Sequence, residues 1–493
     1  MPDDGGLAAA LLFAGAGGLL PEADVIEAVR VTGPRRWWSG PLDVEGLTLG
    51  SVRLAGAALG ELLGRRGALS LRSERAAAAF DSSGRLRLDG NPLPQFAELS
   101  RFWPTADGWI RTHGNYPHHA VALLNALGLA GASAGEAPPV EAVADALAGL
   151  TSVEAERLIG EHGGIAAAVR SRTAWEASAA GLAAHAHRGA ALRVAPNGPP
   201  ARAAADGAPR TGPTPPGAEA GHAASGGGWK PARDGAPLTG LRVLDLTRVL
   251  AGPSATRTLA AFGADVLRID PPHLPEIHEQ HLDTDGGKRV VPLGLRARAA
   301  RVHELLASAH VVVTGYRPGA FESLGLGRAA LAERHPHLVR ASLDAWGPGP
   351  WENRRGFDSI VQAACGISNA YRAGDGRPGA LPVQALDHAT GQLLVAGIAS
   401  LLAHGVQTGA PGGSVEAALA HTAEALWALP VPRPEAAAPL DPVEQDVITP
   451  ALGDLDAERV GRLHVTPQPL DLDGAPPRPA VWLRADDRPE WLV

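Results

Sequence analysis

The sequence predicts an α/β protein: a Rossmann-like, doubly wound parallel sheet preceded by an N-terminal α+β domain. Three observations carry this reading. Short runs of apolar and β-branched residues alternate with helix-length segments from Leu241 to Leu343. A stretch built from Pro, Gly, Ala and Ser over residues 196–237 has no apolar periodicity and separates that alternation from what precedes it. Hydrophobic residues at 45% and charged residues at 19% are globular proportions, which exclude a wholly disordered or fibrous chain.

Leu241–Thr247 reads as a strand, Arg248–Pro253 as a loop, Ser254–Phe262 as a helix by its spacing, and Ala264–Asp270 as a second strand, which together make a βαβ unit. The alternation continues with a strand at Arg289–Leu295, a helix at Arg296–Ala309, a strand at His310–Tyr316, helices over Phe321–Arg334 and a strand at His337–Leu343. Beyond Trp346 the pattern is helical over Asp358–Tyr371 and His388–His404, followed by a glycine-rich turn and strand at Gly409–Leu419. The N-terminal part, residues 1–195, carries helices at Leu54–Leu63, Val140–Leu150 and Val153–Glu161 and strands at Leu86–Leu88 and Gly108–His113. The expected division is therefore 1–195, a linker at 196–237, a catalytic α/β domain at 238–432 and an extension at 433–493 with a strand at Arg462–Val465. Ligands of doubly wound sheets sit at the carboxyl ends of strands, so Arg248–Pro253, Asp270–His273 and Tyr316–Gly319 are the loops to watch.

Composition narrows the functional classes. With 52 acidic against 44 basic residues the net charge is −8, which argues against nucleic-acid binding by broad backbone neutralisation. A single cysteine, Cys365, allows no intrachain disulfide and no cysteine-rich metal site, and a reducing cytoplasm is the expected compartment. Leu7–Leu20 is apolar, but Asp3 and Asp4 stand where a signal peptide carries Lys or Arg, and the run is too short to span a bilayer. Neither secretion nor membrane insertion is expected.

No G-x-S-x-G elbow follows a strand, and the loop after Thr247 reads RVLAGP where a dinucleotide fingerprint needs G-x-G-x-x-G. His113, His118 and His119 cluster with Tyr116 but lack an H-E-x-x-H spacing, so structural or surface roles outweigh metal binding there. Asp387 stands at the start of a helix, where an Asp ordinarily caps backbone N–H groups. The same place lets a carboxylate face a pocket and attack a thioester, with helix-start amides and Gly391 as oxyanion donors. Arg317 ends a strand in Tyr316-Arg317-Pro318-Gly319, and Lys288 and Arg289 follow two glycines; each reads as a solvated turn cation or as a phosphate contact.

Five segments in order give these readings a common context: LRVLDLTRVLAGPSATRTLAAFGADVLRIDPP (Leu241–Pro272), GGKRVVPLGL (Gly286–Leu295), VVVTGYRPGAFESLGLG (Val311–Gly327), GFDSIVQAACGI (Gly356–Ile367) and LPVQALDHATGQLLVAGIASLL (Leu381–Leu402). Together they resemble the family III CoA-transferases. The resemblance implies Asp387 as the nucleophile that passes CoA from an acyl-CoA thioester to a carboxylic acid through aspartyl anhydride and aspartyl-CoA intermediates. It implies no cofactor beyond CoA itself, which is a substrate. It also implies CoA-phosphate contacts at Arg317, Lys288 and Arg289, with Arg248, Ala251 and Arg268 near the pocket. Related racemases acting on 2-methylacyl-CoA carry a histidine where this chain has Phe357, which disfavours racemisation, although His388 beside Asp387 keeps an acid/base pair open.

The chain departs from the pattern in the loop PPHLPEIHEQH after Asp270, at Leu250 before the A-G-P turn, and in having its Gly226–Gly228 run inside the linker. A silent CoA-binding subunit is the alternative these changes raise. FWPTADGWIRTHGNYPHHAVALLNALG (Phe102–Gly128) and GGIAAAVRSRTAWEAS (Gly163–Ser178) resemble the family's small domain, here placed ahead of the catalytic sheet as a rearranged or degenerate copy. Family members form interlocked homodimers, so the expected assembly is a homodimer or an intrachain pseudo-dimer.

Overall fold

The computed structural model describes residues 19–33, 35, 37–129, 140–187, 191–197, 228–233, 235–430, 463–475, 477, 483–484 and 489–492. Most of the expected linker, most of the Leu7–Leu20 run and most of the C-terminal extension, including residues 431–462, lie outside the described residues.

In chain order the elements that place the site are helix α1 (Val44–Leu62), strand β1 (Leu192–Pro196), β2 (Arg242–Leu246), α2 (Ala251–Ala261), β3 (Asp265–Asp270), β4 (Arg289–Pro292), α3 (Ala299–Ser308), β5 (Val311–Thr314), β6 (Val339–Asp344), α4 (Asp358–Ala364), α5 (Ala385–Thr408), β7 (Gly413–Ala418) and β8 (Leu483–Arg484). The strands form one eight-stranded sheet in the order β8-β4-β3-β2-β5-β6-β7-β1, parallel throughout except for β1, which pairs antiparallel with β7 at the edge. From β2 the chain winds outward to β3 and β4 on one side, then returns to β5 and winds to β6 and β7 on the other. The doubly wound topology expected from the βα alternation is present.

Period-2 alternation distributes the core to both faces. Val243, Val266, Val311 and Val313 point to the face covered by α2 and α5, whereas Leu244, Leu246, Leu267 and Val312 pack with Val302, Leu305 and Leu306 of α3 on the other. Helix α5 is long and apolar enough to cross a membrane by length and composition, yet it is buried inside this fold. Its outer side is covered by α1, a Gly- and Ala-rich helix capped by Asp43, whose carboxylate accepts from the Gly46 N–H at 2.8 Å. A helix buried on all sides needs no polar stripe, which is why α5 is apolar all round.

Several boundaries differ from expectation. The division at residue 195 cuts β1, whose LRVAP run alternates buried and exposed and joins the sheet edge. C-terminal residues Leu463–His464 and Leu470–Leu472 pair with N-terminal strands Arg87–Leu88 and Leu69–Arg72, so the two ends of the chain are interleaved. The helix expected over Asp358–Tyr371 is broken at Gly366, which has φ of +86° and where a Cβ would stand 2.6 Å from the Arg172 backbone nitrogen, so only glycine fits without strain. The loop after Asp270 forms a short helix, His278–Thr284.

Candidate active site

The switch point of this sheet lies between β2 and β5, where chain order reverses and the loops after adjacent strands part. A cleft of about 250 Å³ opens there. Arg248 and Val249 after β2, Gly315 to Arg317 after β5, and Asp344 with Ala345 at the end of β6 line one side, and Arg354, Arg355 and Phe357 close its base. Tyr116, His118, His119 and Ile165 of the N-terminal half line the other. Arg248 lies 4.7 Å from the Tyr116 ring centroid and donates to the Pro275 carbonyl at 2.9 Å; Arg317 is exposed at the mouth. Of the predicted phosphate contacts Arg317 lines the cleft, and of the residues expected near the pocket Arg248 does.

The turn after β2 is held open from beneath by Glu276. Its fully buried carboxylate accepts from the Val249 N–H at 2.9 Å, from Arg268 at 3.0 Å and from the Tyr116 hydroxyl, tying the loop to the N-terminal half. Burial opposes its charge, but Arg268 and Arg248 hold it below the usual carboxylate range. Val249 itself has φ of +71°, a left-handed conformation that β-branched residues rarely adopt.

Asp387 is in the first turn of α5, three places inside the cap position expected for it, since the cap residue is Gln384. Capping is supplied from α4: the Asp358 carboxylate accepts from the Asp387 backbone N–H at 3.0 Å and also interacts with the Leu386 amide. Gln362 donates to the other Asp358 oxygen and fixes it. The Asp387 carboxyl is buried and, among the described residues, accepts no hydrogen bond. Burial and the neighbouring Asp358 both push its pKa well above the usual carboxylate range, and burial raises that of Asp358 as well, to about 6. The helix-start amides expected as oxyanion donors are therefore engaged by Asp358. Gly391 has a different role: a Cβ there would stand 2.6 Å from the Ala251 carbonyl oxygen, so its bareness lets α5 cross the start of α2.

The other predicted site residues are placed away from the cleft. Lys288 is buried, donating to Asp245 at 3.1 Å and to the Pro253 carbonyl at 2.9 Å. Arg268 is buried among Asp270, Glu276 and Asp285 at 2.9–3.0 Å. Arg289 reaches back to Asp265 at the start of β3, at 2.7 Å, away from the carboxyl ends of the strands. These three cations neutralise buried carboxylates, and a phosphate would have to displace those partners. Ala251 opens α2 and is buried under Gly391. His388 packs its ring 5.3 Å from Phe80 and lines a second cavity; burial depresses its pKa to about 4, leaving it neutral.

The histidine cluster is nearer the site than its spacing suggested. His113 stacks on Phe357 with ring centroids 3.8 Å apart, and His119 meets the same ring edge-on. Burial drives both rings to the neutral form, with His113 near 3 and His119 near 2. Sequence reading missed Asp358, although GFD was in view, because capping from another helix has no local signature. It missed Glu276 because a lone acid in a Pro-rich loop reads as solvated.

A doubly wound sheet with a cationic crevice at its switch point defines a class of α/β proteins that hold nucleotide-like ligands. Within that class, residues 238–439 match the model of CoA-transferase family III. The chain is 33% identical to a probable fatty acyl-CoA transferase of Mycobacterium tuberculosis over 35% of this chain and 48% of that protein. It is 32% identical to formyl-CoA:oxalate CoA-transferase of Streptomyces coelicolor, over 37% of this chain and 48% of that protein. It is 33% identical to succinyl-CoA:glutarate CoA-transferase of Mus musculus, over 35% and 43%. The chain thus spans about half the length of the curated relatives it matches. The crystal structure of the mycobacterial protein overlaps 40% of this chain and 58% of that one at 33% identity, with a TM-score of 0.37.

Proposed function

We propose that the chain moves CoA from an acyl-CoA thioester to a carboxylic acid, with Asp387 as the nucleophile. The observation that carries this is a buried carboxyl that has no hydrogen-bond partner among the described residues, held beside Asp358 at the start of α5. Once its proton is released, such a carboxylate is unsolvated and basic, which suits it to attack a carbonyl. An Asp387 oxygen adds to the thioester carbon and expels CoA thiolate, giving a mixed anhydride. The thiolate then attacks the Asp387 carbonyl and expels the donor acid, leaving an aspartyl-CoA thioester. The acceptor carboxylate attacks that thioester, expels the thiolate and forms a second anhydride. Thiolate attack on the acceptor carbonyl releases the new acyl-CoA and restores Asp387.

In this reading Arg248 and Arg317 hold CoA phosphates in the switch-point cleft, and the N-terminal half closes the same cleft within one chain, supplying Tyr116, His118 and His119. The test is intact mass of wild type and Asp387→Asn after incubation with an acyl-CoA panel and trapping by hydroxylamine or borohydride. A mass change confined to wild type and mapped to the peptide holding Asp387 is expected. CoA binding with no adduct overturns the reading; solvent deuterium at the substrate α carbon in its place assigns an isomerase.

A further inference from the structure

A second cavity, of about 260 Å³, is lined by residues that flank the carboxylate pair in sequence. Phe357 lines the switch-point cleft, while Ser359 and Gln362, just beyond Asp358 on α4, line this second space with Gln384 and His388 of α5. Asp358 and Asp387 thus stand between residues of two cavities.

The far wall comes from the N-terminal half and carries Arg111. This arginine lies on the strand Trp109–Thr112, directly across from Phe102, and its guanidinium is 4.9 Å from that ring and 5.3 Å from Phe96. It is 9% exposed and, among the described residues, has no ion pair and no side-chain hydrogen bond; its Nε is buried without a partner. Burial alone lowers its pKa, to about 10, so it stays charged at neutral pH. Ser368 Oγ lines the same cavity, also buried and without a partner. Asp81 is the carboxylate among the described lining residues, and it is 3.1 Å from Arg85. The buried cations Arg268, Lys288 and Arg289 each sit on a carboxylate. An unpaired buried cation is costly unless an anion arrives to meet it.

We infer that this cavity binds a small apolar or aryl monocarboxylate, with Arg111 and Ser368 taking its carboxylate and Phe80, Phe96 and Phe102 its hydrocarbon part. The volume falls below the ~300–1,000 Å³ of drug-sized ligand sites, which points to a small acid. Its standing as the subsite for the acid partner of CoA transfer rests on the function proposed above; carboxylate binding itself does not.

Calorimetric titration of the full chain with phenylacetate and with phenylacetamide, its uncharged counterpart, tests the inference. Wild type is expected to bind phenylacetate about tenfold or more tightly than the amide, a difference in line with a charge-assisted hydrogen bond. Arg111→Gln and Arg111→Met are each expected to lose that preference while CoA affinity stays unchanged. Arg111→Met keeps an apolar stem between the two rings and removes an unpaired charge, so it guards against a variant that fails only by unfolding. Equal affinity for acid and amide, or phenylacetate binding to folded Arg111→Met at wild-type strength, overturns the inference. Arg111-dependent binding in a protein that forms no Asp387 adduct leaves the carboxylate site standing and removes the transferase reading.

Discussion

Substitution of Gly391 by alanine tests how closely the helix that carries Asp387 is set against the loop that opens the cleft. In an ordinary helix interior the change gains ~0.8–1.0 kcal/mol from propensity. Here the new Cβ would stand 2.2 Å from Ser254 Oγ and 2.6 Å from the Ala251 carbonyl oxygen. The hydroxyl can rotate away, giving up its 3.0 Å bond to that carbonyl, a loss of ~0.5–1.5 kcal/mol. The carbonyl belongs to the first turn of α2 and moves only if that turn moves, an overpacking cost of ~1–3 kcal/mol. The net is a loss of ~0.5–3.5 kcal/mol, opposite in sign to the propensity effect. Gly160, exposed near the end of the helix Ser152–Glu161 and with nothing within 4 Å of its would-be Cβ, is the matched control; its alanine variant is expected to be neutral or to gain up to ~1 kcal/mol. Urea denaturation of the three proteins at one pH reads both signs, and trapping of Asp387 should slow in the Gly391 variant. A Gly391→Ala protein as stable as wild type, or more so, refutes the close crossing of α5 over α2.

Three further outcomes follow from the same geometry. Lys288→Met is expected to lower stability by ~3–5 kcal/mol, since it strips a buried carboxylate of its partner, and to leave CoA affinity unchanged in the folded fraction; a stable variant with weakened CoA binding would restore Lys288 as a phosphate contact. Val249→Gly relieves a left-handed conformation that costs a branched residue ~1–2 kcal/mol, against ~0.5–1 kcal/mol of added backbone entropy, so denaturation midpoints should hold or rise slightly while CoA binding weakens as the turn loosens. Asp387→Asn should stabilise the protein, and increasingly so with pH. The folded carboxyl keeps its proton above the pH at which the unfolded one ionises, so wild-type stability is full below ~3.9 and is lost as pH rises through the folded pKa; a constant difference between pH 4 and pH 8 would contradict this.

The sheet was legible because β2 to β6 each announce themselves by an apolar, β-branched run, with helix-length segments before β3, β5 and β6, and parallel strands buried on both faces cannot be polar. Asp387 was legible as an acid at a helix start, and Arg248 and Arg317 as cations at strand ends. Lys288, Arg268 and Arg289 looked alike in sequence and proved different, because whether a cation meets solvent or a buried carboxylate is decided by partners 2 to 43 residues away in the chain. β1 was cut at the linker boundary because its last residue is Pro196, and a proline reads as a strand breaker although an edge strand tolerates it. Arg111 gave no signal at all: TADGWIRTH is an ordinary amphipathic strand until Phe96 and Phe102 fold over the guanidinium.

Under the proposed function, the two halves of the chain answer one electrostatic problem between them. A carboxylate nucleophile gains basicity when it is buried beside Asp358, but the same surroundings repel any anion that must approach it. The acyl group of a thioester is neutral and meets no such barrier, whereas a free acid arrives charged. On the α5 side the described side chains offer no compensation, since His388 is held neutral and the α5 amides are already committed to Asp358. The one uncommitted buried cation facing that space among the described residues is Arg111, contributed by the N-terminal half. Under the proposed function, a chain that had lost this segment would still present Asp387 and the β2 and β5 loops of its cleft, yet it would lack the charge proposed to let the acid come near.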